Sequence, residues 1–441
     1  MRSSKRWLAA LTTTAIVGVS SAAQAEPITI EFWHGLGGAA GESLEKITDG
    51  FNASQDDYQV KPVYKGNYTE TMTAAISAFR AQEHPAIVQV FEVGTATMMN
   101  AEGAIYPVHQ MMDEQGVAFD EDDYIPAVAS YYTTTEGEML SMPFNSSTPV
   151  LWYNKDAFEA AGLDPNDPPE TWSEAAEYSR QIMDNGYECG FSIGWQSWVA
   201  IENFSAWHNS PIGTKQNGFG GLDTELVFNN DLVTRHIADL REWQQEGIFQ
   251  YGGRRGESLP MFTNGKCAMW LNSSAYYGGI KSQADFEFGQ AFLPHYEDVA
   301  DAPQNSIIGG ATLWVLRGKD SEQYQGVAEF FDYLSSPEVQ FTWHKDTGYV
   351  PITTAAYELA QEKGYYEENP GTDTAIKQLS LNEPTPNSKG LRFGNFVQIR
   401  DIVNEELEAV WSGDKSAEDA LDTAVERGNQ LIRKFERQNG S

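Results

Sequence analysis

Between Ile28 and Val93 the apolar residues change their spacing repeatedly, and that alternation limits the fold more than any other property of the chain. Ile28, Ile30 and Phe32 alternate with polar positions, the two-residue period of a strand. A glycine-rich turn (Gly35, Gly37, Gly38) leads into Leu44, Ile47 and Phe51, which share one face of a helix. Tyr58 to Tyr64 reads as a second strand, Met72 to Phe79 as a helix and Ala86 to Val93 as a buried strand. Strands separated by helices predict an α/β architecture with a parallel, helix-covered sheet. The pattern returns further along. Thr171-Trp172-Ser173-Glu174 is a capping box, Cys267 to Leu271 is an apolar strand, and Ile307 to Val315 is another, broken at Gly309-Gly310. Ser416 can cap a helix that carries Leu421, Ala424, Val425, Gly428, Leu431, Ile432 and Phe435 on one face. With no internal repeat and no long flexible linker, two α/β lobes joined by strand-like crossings are expected.

The N-terminus predicts the compartment. Arg2, Lys5 and Arg6 precede an apolar stretch from Trp7 to Val19, and Ala23-Gln24-Ala25 fits a small-x-small cleavage site. Residues 1–25 thus read as a secretory signal peptide cut after Ala25, too short to span a membrane, and an exported protein outside the cytoplasm is expected. The chain carries 29 basic and 63 acidic side chains, a formal charge of −34. So acidic a protein is a poor partner for nucleic acid or an anionic bilayer, and a solvated, screened surface accounts for most of the excess. Only two cysteines are present, Cys189 and Cys267. Neither has a zinc-ligand neighbour, and in an oxidising compartment they either pair or remain buried thiols.

Catalytic signatures are missing: there is no GxSxG elbow, no HExxH and no Walker A sequence. Gly35-Leu36-Gly37-Gly38 does not complete a dinucleotide fingerprint and reads as turn glycines. No catalytic residue, metal or cofactor is therefore expected. What remains is a set of donors where an open α/β sheet binds ligands, at strand ends. Tyr68 follows the second strand, and Glu92 ends the third. Ser147 lies in the polar cluster Asn145-Ser146-Ser147-Thr148, just before the apolar run Val150–Tyr153, and Ser273 follows Leu271-Asn272. Gly310 sits in the glycine break, Tyr349 in TGYVP, and Arg400 after LRFGN. Except for Glu92 these are donors suited to a phosphate, although each alone has an ordinary reading as a turn, surface or packing residue.

The segments GNYTETMTAAISAFR, PAIVQVFEVGTATMM, PFNSSTPVLWYNKDAF, ENFSAW, DAPQNSIIGGATLWV, TGYVPIT and LDTAVERGNQL carry a resemblance over essentially the whole exported chain. They are similar to the periplasmic sn-glycerol-3-phosphate-binding proteins of ABC importers, maltose-binding-protein-like members of the extracellular solute-binding family 1. The resemblance implies a two-lobed fold with a ligand cleft between lobes. Residues 26–146 and 309–350 would form one lobe and 147–308 and 351–441 the other, with hinge crossings near 145–149, 303–310 and 349–354. It implies a periplasmic, monomeric, non-enzymatic receptor that closes on glycerol 3-phosphate, or on diesters such as glycerophosphocholine, and docks on membrane permease subunits without spanning the membrane. The ligand contacts would be Tyr68, Glu92, Ser147, Ser273, Gly310, Tyr349 and Arg400, with Trp172 of ETW flanking the pocket. One departure stands out: AMWLNSSAYYGG places Trp270, Tyr276 and Tyr277 next to the expected site.

In that scheme Arg400 presents a planar fork to the phosphate, the hydroxyls and the Gly310 N–H assist it, and Glu92 accepts from the glycerol hydroxyls. Arg400→Ala would then abolish binding and leave thermal unfolding near wild type. An oligosaccharide receptor of the same fold is the nearest rival, prompted by the 12 tryptophans. An exported glycerophosphodiester hydrolase is a more distant one.

Overall fold

The computed structural model describes residues 26–101 and 103–440. The expected leader lies outside them. Strand β1 (Ile28–His34) pairs in parallel with β2 (Tyr58–Tyr64) and with β3 (Ile87–Phe91). Helix Gly38–Ser54 connects β1 to β2, burying Leu44, Ile47 and Phe51, and helix Tyr68–Ala81 connects β2 to β3. These are the crossovers that parallel strands require.

The first sheet is nonetheless mixed, which corrects the expectation of a parallel one. Its order is β2-β1-β3-β10-β4, where β4 is Ile105–Tyr106 and β10 is Gly309–Leu316, and β5 (Met142–Ser147) also pairs with β10. Strand β10 runs antiparallel to β3, β4 and β5. The chain thus leaves this sheet after Ser147 and returns at Gly309, and a late strand inserts beside an early one. Local periodicity carries no information about such a partner.

A second sheet has the order β7-β8-β6-β9, with β6 Pro149–Asn154, β7 Cys189–Ile193, β8 Cys267–Ser273 and β9 Phe288–Ala291. Strands β7 and β8 are parallel with Cys189 opposite Cys267, and the two cysteines form a disulfide with Cα atoms 4.6 Å apart. The expected capping box is present on helix Trp172–Asp184, and Ser416 caps helix Ala417–Asn439.

Only Thr148 separates β5 of the first sheet from β6 of the second. Its hydroxyl donates to Ser306 Oγ at 2.7 Å, and the Val350 N–H donates to the Ser146 carbonyl at 2.8 Å. Three strand-like passages, through Thr148, Ser306–Ile308 and Val350, therefore run side by side between the sheets. That arrangement puts the ends of β3, β5, β8 and β10 around one space.

Candidate ligand-binding site

That space is a cavity of about 350 Å³. Tyr68, Glu92, Ser147, Ser273, Gly310, Tyr349 and Arg400 all line it. Each arrives on a different element. Tyr68 opens helix Tyr68–Ala81, which is fixed by a reciprocal Asn67–Glu70 capping box, and its ring stacks on Phe91 at 5.5 Å. A polar relay orients the phenol. Gln89 accepts from the Gly35 N–H at 2.8 Å and donates to Asn145 at 2.7 Å, and Asn145 donates to the Tyr68 oxygen at 2.8 Å. The Tyr68 proton is thereby left to point elsewhere. Tyr349 stacks on Trp343, and burial raises both phenols above their ordinary range, so both stay donors at neutral pH.

The serines form a second relay. Ala275 N–H donates to Ser273 Oγ at 3.1 Å, and Ser273 donates to Ser147 Oγ at 2.8 Å. With its lone pair engaged, Ser147 keeps a free proton for a ligand. Gly310 has φ +95° and lies opposite Ser146, while Gly309 lies opposite Ser147. A Cβ at Gly310 would come within 1.8 Å of the Asn145 carbonyl oxygen. Only glycine lets β10 approach β5 this closely.

Arg400 departs from the expected scheme. It lies on helix Phe396–Ser412, 6% exposed, and is already paired. Nε and Nη2 donate to the two oxygens of Glu202, both at 2.7 Å, and Nη2 also donates to Glu92 at 2.5 Å. Nη1 has no partner among the described residues. One cation thus meets two carboxylates, and the cluster is net negative. Burial is the main reason that Glu92 is raised to about 6, with Arg400 opposing and Glu202 adding to the shift. The carboxylates in turn keep Arg400 above its usual range despite its desolvation.

This shift has a consequence for stability. The ordinary carboxyl titrates near 4.5, so between about 4.5 and 6 the folded protein keeps a proton that the unfolded chain has lost. Stability should therefore fall as pH rises through that window, by about 2 kcal/mol if Glu92 acted alone. Glu92→Gln should flatten the slope in urea titrations between these pH values. It should not destabilise the protein at pH 7, because Glu202 still holds Arg400.

Sequence reasoning missed Glu202, which sits on a six-residue π-helical turn, Trp198–Asn203. The available signal was a lone acid inside the run Trp198-Val-Ala-Ile-Glu-Asn-Phe204. A charge at such a position has to be paired. Trp172 is a correction. It does not line the cavity, being 3% exposed in the core of the second lobe, stacked on Trp243 at 5.8 Å and near His236 at 4.8 Å. The indoles on the cavity wall are Trp195 and Trp198 instead. Among the unusual residues of AMWLNSSAYYGG, Tyr276 lines the cavity, whereas Trp270 is buried against Tyr276 and Phe262, and Tyr277 packs near Phe288.

Residues 46–373 match the family model described as bacterial extracellular solute-binding protein. The chain belongs to this family. Among its relatives is the sn-glycerol-3-phosphate-binding periplasmic protein UgpB of Escherichia coli K12, 52% identical over 94% of each chain. The solute-binding fold is equally clear from solved structures. UgpB from Mycobacterium tuberculosis in complex with glycerophosphocholine superposes with a TM-score of 0.77 at 22% identity, covering 93% of this chain and 99% of that one. Maltose-bound MalE3 of T. maritima gives 0.75 at 17% identity, covering 92% and 100%. The two sheets of this solute-binding protein and the cavity at their junction are thus the expected maltose-binding-protein-like architecture.

Proposed function

We propose that this solute-binding protein captures sn-glycerol 3-phosphate outside the cytoplasm and hands it to the permease of an ABC importer. The observation that carries the reading is the convergence of the seven residues from separate segments on one cavity between the two sheets. The relatives' printed ligand, at 52% identity, supports the same choice. Residues 26–146 with 309–350, and 147–308 with 351–441, act as two lobes. They close about crossings near 145–149, 303–310 and 349–354, and closure presents the surface that the permease reads. The cleft binds without breaking a bond.

The charge count turns the ligand around relative to the sequence expectation. A phosphate monoester carries about −1.5 to −2 charges at pH 7, and a buried cluster that is already net negative repels it. The polyol end suits that cluster better: Glu92 accepts from glycerol hydroxyls, and Arg400 Nη1 donates to one. The phosphate falls to the neutral donors Ser147, Tyr68, Tyr349 and the Gly310 N–H, with Ser273 orienting Ser147 through its own O–H, and each donor adds stabilisation without adding charge.

A thermal-shift panel tests this reading. Glycerol 3-phosphate should raise the unfolding midpoint, whereas maltodextrins should not; the reverse pattern would make it an oligosaccharide receptor. Incubation with a glycerophosphodiester should return the intact compound, and steady alcohol release would instead mark a hydrolase.

A further inference from the structure

Three charged side chains line the cavity: Glu92, Arg400 and Arg255. The first two belong to the compensated cluster. Arg255 does not. Its neighbour Arg254 is paired, with Nε and Nη2 donating to both oxygens of Glu408 at 2.8 and 2.5 Å. Among the described residues the Arg255 guanidinium has neither an ion pair nor a hydrogen bond to protein. The nearby acid, Glu257, accepts from the Arg255 backbone N–H at 2.6 Å. The arginine is held by its backbone, whose carbonyl also accepts from Trp195 N–H at 2.8 Å, and its guanidinium lies 5.6 Å from the Trp195 ring centroid. Trp195 itself adopts φ +48°, a left-handed conformation rarely tolerated by a bulky residue. The local structure therefore maintains a strained backbone that sets an unpaired cation over an indole at the cavity wall.

We propose that Arg255 supplies the uncompensated positive charge of the cleft and makes the protein select ligands of net negative charge over those with a trimethylammonium head group. This rests on the glycerol-phosphate reading above. The anion lacks a counter-charge at Arg400, and Arg255 is the remaining cation on the wall. A quaternary ammonium group meets two obstacles here. Arg255 repels it, and the face of Trp195, the natural partner of such a group, is already covered by the guanidinium.

The test is calorimetric titration of sn-glycerol 3-phosphate, glycerophosphoglycerol and glycerophosphocholine into wild type, Arg255→Gln and Arg255→Lys. Wild type should bind glycerol 3-phosphate about tenfold or more tightly than glycerophosphocholine, the size of one charge-assisted hydrogen bond. Glycerophosphoglycerol, an anion with an uncharged head, should fall between them. Arg255→Gln should lose most of that ratio by weakening the anions, and Arg255→Lys should keep most of it. Unfolding midpoints near wild type verify that the variants are folded, as expected for a side chain without protein bonds. A wild type that prefers glycerophosphocholine overturns the proposal, as does an Arg255→Gln ratio equal to that of wild type. In either case the receptor reading survives. If wild type binds none of the three, both fail together.

Discussion

Arg400→Ala should eliminate glycerol 3-phosphate binding and also destabilise the protein by about 3–5 kcal/mol. The second effect reverses what sequence reasoning expects, an intact fold with an empty site. Removing the guanidinium strands Glu92 and Glu202, which are 3% and 2% exposed, with no cation to offset their desolvation. Through this arginine the carboxylates also tie together three separate parts of the chain: the turn after β3, the π-helical turn and helix Phe396–Ser412. The loss should be smaller in acid, where a proton on Glu92 relieves part of the stranded charge. Urea denaturation at pH 7 and at pH 5, with calorimetry for the ligand, checks both parts. Unchanged stability at pH 7 would mean that the cluster is not formed in solution.

Gly310→Ala is expected to cost about 3 kcal/mol and to weaken ligand binding at the same time. A residue with a Cβ pays roughly 1–2 kcal/mol for a left-handed backbone, and the new methyl group cannot coexist with the Asn145 carbonyl 1.8 Å away. Strand β10 must then move off β5, at a further cost of about 1–3 kcal/mol for overpacking. Register ties this to function. Gly309 sits opposite Ser147, and Asn145 orients Tyr68, so separating the strands disturbs two ligand donors together. Thermal unfolding and calorimetry of Gly310→Ala should therefore both shift.

Much of the fold is legible because it is locally encoded. The alternation of Ile28, Ile30 and Phe32, the Thr171–Glu174 capping box and the apolar face of Ala417–Asn439 each depend on residues within a few positions of one another. The mixed sheet is not encoded that way, since β10 finds β3 across more than half of the chain. Site residues divide along the same line. Gly310 and the serines stand at strand ends, where sheet geometry puts ligands, and family resemblance names them. The fate of Trp172 depends instead on Trp243 and His236, supplied by helix Asp231–Glu246, and nothing within ETW reveals them. The charge state of Arg400 is likewise set by Glu202, 198 residues away. A single arginine looks like an anion hook in sequence; its two carboxylate partners emerge only when distant segments of the chain are folded together.

The orientation of the ligand is the claim on which this account turns, and a crystal structure of the closed complex with sn-glycerol 3-phosphate tests it most directly. The account predicts phosphate oxygens on Ser147 and the Gly310 N–H, Ser273 still donating to Ser147, glycerol hydroxyls on Glu92 and Arg400 Nη1, and Glu202 still paired with Arg400. A phosphate seated on the Arg400 fork, with Glu92 or Glu202 pushed off the guanidinium, would contradict it.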